Sequence, residues 1–296
     1  MLNGMTTRHA FIDVEGVTRE YELVVPEAKR GPGGELVPLV IALHGAGGGA
    51  RSVMRLSGLN GLADRHGFLA AYPVGTGRKN RVLSWNAGHC CGFAKDNGVD
   101  DVGFIARLID TLLEEQAVDP GRVFVVGISN GAMLAHRLGA ELSAKIAAFA
   151  AIAGTLPPGL PDPGTPLSLI MFHGTADRLV PYEGGTSSMG LFRHGPGEAP
   201  VHTSVADTIA FWIDRLNCSP TPDRRPMRGG RTEIYRNTRD GCEVVLHTID
   251  GGGHTWPGTP VGNWRRPSRD PMAGVQASRL IWEFFASHPR RDEVLR

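Results

Sequence analysis

The stretch Gly127-Ile128-Ser129-Asn130-Gly131 follows the apolar run 122–126 and precedes a helix-like segment. It matches the pattern Gly-x-Ser-x-Gly, in which a serine sits on a sharp turn between a strand and a helix. Glycines on either side let the backbone turn without Cβ clashes. Such a turn exposes the hydroxyl, as a nucleophilic serine requires. Glycine-flanked serines also occur in ordinary turns, so the assignment depends on what the rest of the chain supplies.

Length and composition favour a single large α/β domain over residues 1–296, in which 41% of the residues are hydrophobic. The formal charge of +1, without a dense basic patch, argues against a nucleic-acid partner. No apolar run is long enough for a membrane span. The first residues lack the basic and apolar regions of a signal peptide, so the sequence as it stands predicts a cytoplasmic protein, a trimmed mature form, or an exported protein whose signal has been removed.

The 4 cysteines fit no zinc-binding spacing, and we expect neither a metal nor another cofactor. Cys218 and Cys242 lie on either side of a segment rich in proline and arginine and of a predicted strand. They are a candidate disulfide pair. The adjacent Cys90 and Cys91 leave two alternatives open, a vicinal disulfide or two thiols.

Apolar strand-like runs alternate with helical patterns along the chain, and a doubly wound, mostly parallel sheet flanked by helices follows from that alternation. Besides the strand before Gly127, we predict strands at 10–14, 17–25, 39–43, 67–73, 147–153, 167–172, 232–235 and 243–249. We predict helices at 56–66, 102–112, 132–142, 205–216 and 275–285. Active sites in such folds lie at the carboxyl ends of the strands, so partners of Ser129 should follow strands directly.

Two residues meet this condition. Asp177 lies just beyond the strand 167–172, and His254 lies just beyond the strand 243–249. Ser129, Asp177 and His254 therefore occur in the chain order of the α/β-hydrolases, which differs from the orders in chymotrypsin and subtilisin. Asp250 is the alternative acid, but it follows the same strand as His254 and suits a turn. We predict Ser129, Asp177 and His254 as a catalytic triad.

The glycine-rich loop after strand 39–43 is the candidate oxyanion hole. It reads His44-Gly45-Ala46-Gly47-Gly48-Gly49. We expect the Ala46 N–H to be one donor, with Gly45 and Gly47 as alternatives, and the Asn130 N–H to be the second.

His44, Trp85 and Trp256 lie in loops on the predicted catalytic side and are candidates for substrate contact, although packing under the loops explains them equally well. For His44 we favour shaping the oxyanion loop over acting as a base. The segment 184–200 is either a lid or a surface insertion.

With these residues in place, the chain resembles the polyhydroxybutyrate depolymerase-like esterases, the group that also includes bacterial feruloyl and acetyl-xylan esterases. The resemblance is carried by segments 43–45, 84–92, 99–104, 127–133, 173–182 and 251–258. It implies a serine esterase that forms an acyl-enzyme on hydroxycinnamate, acetyl or short-chain hydroxyalkanoate esters, with Ser129, Asp177 and His254 as the triad. It also implies a secreted or periplasmic location.

The chain shows neither an export signal nor an attached polymer-binding segment, and this favours a small soluble ester over a polymer. Two alternatives remain at this stage. A prolyl oligopeptidase-like serine peptidase shares the order of the triad and an Asp-x-x-Val-Pro segment. A non-catalytic binding module on a hydrolase scaffold is the other.

Overall fold

A computed structural model describes residues 5–26, 35–187, 200–259 and 271–290. Within these ranges the chain forms a 10-stranded sheet and a separate two-stranded ladder. The large sheet contains β1 (Met5–Val14), β2 (Val17–Pro26), β3 (Val37–Leu43), β4 (Leu69–Pro73), β5 (Val118–Ile128), β6 (Ala148–Ile152), β7 (Ser168–Gly174), β10 (Asp223–Met227), β11 (Gly230–Arg236) and β12 (Glu243–Ile249). The ladder contains β8 (Gly185–Thr186) and β9 (Val201–His202).

The helices cover both faces of the large sheet. They are α1 (Ala50–Ser57), α2 (Leu59–His66), α3 (Gly92–Asp96), α4 (Asp101–Glu115), α5 (Asn130–Glu141), α6 (Val205–Arg215) and α7 (Ala277–Ser287), with 3₁₀ turns at Arg78–Asn80 and Pro271–Gly274. Within the described ranges, no helix combines the length and the apolar character that crossing a bilayer requires.

The strand order is β1-β2-β4-β3-β5-β6-β7-β12-β11-β10. In this spatial order, the strands from β4 through β3, β5, β6 and β7 to β12 run parallel to one another. Toward both edges, each further strand pairs antiparallel with its inner neighbour. This arrangement confirms the predicted fold class. Because the inner strands are parallel, their carboxyl ends meet along one edge of the sheet, where the candidate residues were expected.

The core has two halves, one on each face of the sheet. One half packs α4, α5 and α6 against the sheet, and the other packs α1, α2 and α7. Every residue of β3, β6 and β7 is buried. Since helices exclude water from both faces, these strands are largely apolar instead of alternating, with Ser168 and His173 of β7 as buried polar residues.

Among the differences between the predicted and the observed elements, two have a clear physical reason. The helix expected at 56–66 is split, because Gly58 adopts φ 61°, in the left-handed region, and its N–H closes α1 on the Met54 carbonyl. The edge strand β10 was not predicted because it contains Pro226 and charged, exposed residues. Proline is tolerated there because an edge strand has fewer ladder hydrogen bonds to lose.

The cysteines also correct an expectation. In the described part of the chain Cys218 and Cys242 are not joined, and the expected disulfide is therefore wrong. The Cys218 thiol lies 3.9 Å from the backbone carbonyl oxygens of both Leu216 and Cys242. Burial raises the pKa of Cys218 to about 11, so it stays protonated at neutral pH. Cys90 and Cys91 do form a vicinal disulfide, one of the two alternatives left open by the sequence.

A buried ion pair joins the sheet to α4 and to the loop that follows β4. The Arg19 guanidinium on β2 donates to Asp101 Oδ1 at 2.7 Å, and the Asp101 side chain is fully buried. The second carboxylate oxygen accepts the Asn86 N–H at 2.7 Å. The guanidinium also lies 4.0 Å from the centre of the Phe104 ring. Asp101 thereby fixes the position of the loop around residue 86.

We expect Asp101→Asn to lower the free energy of unfolding by about 3–5 kcal/mol, because it leaves the Arg19 charge buried without its carboxylate. Urea denaturation measures this loss. The control is Asp110→Asn on the same helix, which removes a partly exposed pair with Lys145 and should cost about 1 kcal/mol or less. If both variants lost the same free energy of unfolding, the buried Arg19–Asp101 pair would stabilise the fold no more than the partly exposed pair does.

Candidate active site

Ser129 lies on the turn between β5 and α5 with φ 58° and ψ −123°. A non-glycine residue rarely adopts this conformation, and holding it costs about 1–3 kcal/mol. Backbone hydrogen bonds hold the turn. The Ser129 N–H donates to the Ile152 carbonyl at 2.8 Å, and the Ser129 carbonyl accepts the N–H groups of Ala132 and Met133. The strand–turn–helix context expected for this serine is present.

The glycines around Ser129 are required by close packing. A Cβ atom on Gly127 would lie 2.1 Å from the Gly131 oxygen, and one on Gly131 would lie 2.5 Å from the His44 oxygen. Gly154 has a similar constraint, because its Cβ would lie 2.5 Å from the Ser129 carbonyl oxygen. The glycines of the pattern Gly-x-Ser-x-Gly are therefore needed because the backbone at the ends of β3, β5 and β6 packs tightly around the turn.

Asp177 and His254 form a hydrogen-bonded pair at the ends of β7 and β12. His254 Nδ1 lies 2.8 Å from Asp177 Oδ2. The other carboxylate oxygen accepts the N–H groups of Leu179 and Val180 at 2.8 and 2.9 Å. Asp250, the alternative acid, has a largely exposed side chain 3.9 Å from Arg231. The structure therefore pairs His254 with Asp177.

Asp177 is held as a carboxylate. Burial raises its pKa, but the hydrogen bond and charge of His254 outweigh that effect, so that the pKa lies below the ordinary value for aspartate. Because a carboxylate only accepts hydrogen bonds, His254 Nδ1 carries the proton and donates it. This fixes the tautomer and leaves His254 Nε2 as the basic nitrogen.

Ser129 and His254 line one cavity of about 1,020 Å³ at the carboxyl edge of the sheet. Leu56, Val82, Phe93, Ile128 and Leu179 contribute apolar side chains to its wall. Cys91 of the vicinal disulfide also contributes. Arg78 and Arg81 form a basic part of the wall that the sequence interpretation missed, because the loop that carries them after β4 has no periodicity from which the direction of its side chains could be predicted.

The oxyanion loop presents fewer free amides than its sequence allows. Gly47 N–H donates to the Leu83 carbonyl at 2.7 Å, which removes this alternative donor. Gly45 and Ala46 line the cavity. Among the described residues, neither the Ala46 N–H nor the N–H of Asn130 at the start of α5 has an acceptor. Ala46 and Asn130 remain the candidate donors, and Gly45 remains the alternative to Ala46.

His44, Trp85 and Trp256 do not contact this cavity, and their expected role in substrate contact is corrected. All three side chains are buried. Burial lowers the pKa of His44 to about 4, so the ring is neutral. Its Nε2 accepts the Gly75 N–H at 3.0 Å, and Nδ1 donates to the Gly45 carbonyl at 2.8 Å. As the sequence suggested for His44, the ring shapes the oxyanion loop.

The two tryptophans have structural hydrogen bonds. Trp85 Nε1 donates to the His44 carbonyl at 2.8 Å, and Trp256 Nε1 donates to the Ser278 hydroxyl at 2.9 Å. The Asn130 side chain accepts the Trp85 backbone N–H at 2.7 Å and donates to the Trp85 carbonyl at 3.0 Å. The residue after Ser129 thus clamps the neighbouring loop, a role for its side chain that sequence reasoning did not anticipate.

The ends of the segment 184–200 are held together by pairing of β8 with β9, Gly185 opposite His202 and Thr186 opposite Val201. Residues 188–199, on which the lid prediction depends, lie outside the described residues. No cluster of three or more histidine, cysteine, aspartate or glutamate side chains suited to a metal ion occurs in the described part of the chain.

The chain is similar in sequence and in fold to known esterases. The putative esterase NocK of Nocardia uniformis subsp. tsuyamanensis is 34% identical over 86% of this chain and 75% of its own length. Feruloyl esterase B of Piromyces equi is 30% identical over 75% of this chain, which spans only 40% of that protein. The acetyl xylan esterase from Aspergillus awamori has the same fold, with a TM-score of 0.65 at 15% identity, covering 95% of this chain and 99% of its own.

The sequence profile of the family described as "Esterase PHB depolymerase" matches residues 20–177, more than half of the chain. That range runs from β2 through the oxyanion loop and Ser129 to Asp177. The chain belongs to the PHB depolymerase-type esterase family of α/β-hydrolases and is a carboxylic ester hydrolase.

Proposed function

We propose that the chain hydrolyses carboxylic esters through an acyl-enzyme on Ser129. One observation carries the proposal. His254, hydrogen-bonded to Asp177 at 2.8 Å, borders the same cavity as a serine held in a strained turn. The mechanism requires Ser129 Oγ to come within hydrogen-bond distance of His254 Nε2 when substrate is bound.

In the first half of the reaction, His254 Nε2 accepts the Ser129 proton while Oγ forms a bond to the ester carbonyl carbon. The carbonyl oxygen becomes an oxyanion, which the Ala46 and Asn130 N–H groups stabilise. The bond to the alcohol oxygen then breaks, and His254 gives its proton to the leaving alcohol. Asp177 stabilises the imidazolium that exists between these two transfers.

In the second half, His254 takes a proton from water, whose oxygen bonds to the acyl carbon. When this second intermediate collapses, the bond to Ser129 breaks and the proton returns to Oγ. The products are a carboxylic acid and the free enzyme.

The cavity supports an acyl group larger than acetyl. Val82, Phe93 and Leu179 give it an apolar wall. Its volume of about 1,020 Å³ exceeds what an acetyl group fills. We therefore propose hydroxycinnamate or short-chain hydroxyalkanoate esters as substrates, with acetyl esters as smaller alternatives.

Ser129→Ala should lower kcat for 4-nitrophenyl butyrate by at least about 10³-fold, because only binding and the oxyanion donors remain. It should also abolish labelling by a fluorophosphonate. Ser52→Ala removes a different hydroxyl from the cavity wall and should leave labelling intact. If the Ser129→Ala variant hydrolysed the ester as fast as the wild type, Ser129 would not be the nucleophile.

Faster turnover of aminoacyl naphthylamides than of esters by the wild type would instead indicate a peptidase.

Asp177→Asn should reduce kcat by about 10⁴-fold, since an amide at this position favours the wrong His254 tautomer and no longer stabilises the imidazolium. Steady-state kinetics measures the loss, and circular dichroism verifies the fold. Asp250→Asn, at the exposed alternative acid, should stay within about twofold of the wild type. If the Asp250 variant lost the larger share of activity, the assignment of the acid would be reversed.

A further inference from the structure

We propose that Arg78 and Arg81 select esters that carry a carboxylate close to the scissile bond. The inference rests on the proposed esterase function and specifies its substrate class. Both arginines belong to the wall of the cavity that Ser129 and His254 line. An ester bound at Ser129 therefore shares its cavity with two guanidinium groups.

The charge of these arginines is not neutralised by the protein around them. Arg78, Lys79 and Arg81 form no ion pair with a carboxylate of the described residues. Asp96 is the one carboxylate among the described residues of the cavity wall. It lies 3.6 Å from Lys95 Nζ, which offsets its charge. The wall is therefore positive on balance, and an anion would find an unpaired partner there.

The loop that presents the arginines is held at both ends. Thr76 and Ser84 exchange two backbone hydrogen bonds of 2.9 Å. Between them, the Arg81 N–H donates to the Arg78 carbonyl at 3.1 Å, and the Leu83 carbonyl accepts the Gly47 N–H of the oxyanion loop at 2.7 Å. A loop tied directly to the candidate oxyanion loop keeps the backbone that carries the arginines at a defined place relative to the reacting carbonyl.

The backbone of this loop is also strained. Lys79, Asn80 and Val82 have φ of 51°, 54° and 51°, and a β-branched residue rarely tolerates such an angle. Strain of this kind persists where the surrounding contacts determine the conformation, and it is concentrated at sites that hold ligands. The Val82 side chain, on the same loop, adds to the apolar wall.

The cavity thus combines an apolar wall with a basic one. A ligand with a hydrophobic body and a carboxylate at one end matches both surfaces. Guanidinium groups suit this partner because their planar donors fit a carboxylate with two parallel hydrogen bonds. The monoester of a dicarboxylic acid and a hydroxybenzoate acylated on its phenolic oxygen are the simplest compounds of this class.

The test compares matched charged and neutral esters. For a carboxylate on the acyl side, the 4-nitrophenyl monoester of adipic acid is paired with 4-nitrophenyl hexanoate, in which a methyl group replaces the carboxylate. For a carboxylate on the alcohol side, 4-acetoxybenzoate is paired with its methyl ester. The measured quantity is the ratio of kcat/KM values within each pair, at low and at high NaCl concentration.

In the double variant Arg78→Gln/Arg81→Gln, the charged-to-neutral ratio should fall about five- to tenfold in at least one pair, the range expected for partly exposed charge pairs. The neutral ester of that pair should keep its rate within about twofold, which also shows that the protein is folded. High salt should lower the wild-type ratio. The charge-retaining double variant, Arg78→Lys with Arg81→Lys, should give a ratio between those of the wild type and the Gln variant, because lysine keeps the charge but not the paired hydrogen bonds.

Arg107→Gln is the control, because Arg107 is an exposed arginine on α4 and does not belong to this cavity wall. An unchanged ratio in both pairs for the Gln double variant, or the same fall in the control, would overturn the inference. Failure of the wild type to hydrolyse any of the four esters is a separate result, which counts against the proposed function and removes the inference with it.

Discussion

The backbone turn at Ser129 is the constraint on which the rest of the site depends. Serine has no intrinsic preference for φ 58°, so the conformation exists only because its surroundings impose it. Gly131 lies against the carbonyl oxygens at the end of β3, and Gly154 lies against the Ser129 carbonyl after β6. Three strand ends therefore meet at one serine, and backbone packing fixes the place from which its side chain projects.

A set of buried hydrogen bonds extends this constraint outward. The Asn130 side chain holds the backbone of Trp85, whose indole holds the carbonyl of His44. His44 in turn accepts from Gly75 and donates to Gly45. Each group in this series is uncharged, so burial costs little once the hydrogen bonds are satisfied. The candidate oxyanion loop and the loop after β4 are consequently fixed to the turn that carries Ser129, the proposed nucleophile.

The sequence predicted the features that the course of the backbone determines, such as the place where the strands end. It did not predict the features that depend on the direction of side chains in loops. Strand ends converge in a parallel sheet, so three candidate residues placed after strands were sufficient to predict the edge where they meet. The fold class followed from apolar runs that a sheet covered on both faces requires.

A loop tryptophan such as Trp85 or Trp256, however, has the same sequence signature whether it faces substrate or packs inward. Likewise, spacing did not reveal that the Cys218 thiol lies against backbone carbonyls. Arg78 and Arg81 lie on an irregular loop without periodicity, and only the folded chain places them on the cavity wall.

The charges of the site fall into two regions with different consequences. Burial lowers the pKa of His173 and His202, the latter to about 4, so these neighbours of Asp177 stay neutral at physiological pH. They do not compete with the His254 imidazolium for the carboxylate, and in a region with little water that interaction is strong. The arginines lie on exposed loop positions, where water and salt weaken their fields. Rate should therefore depend on the buried pair, while the exposed arginines act on which ester is bound.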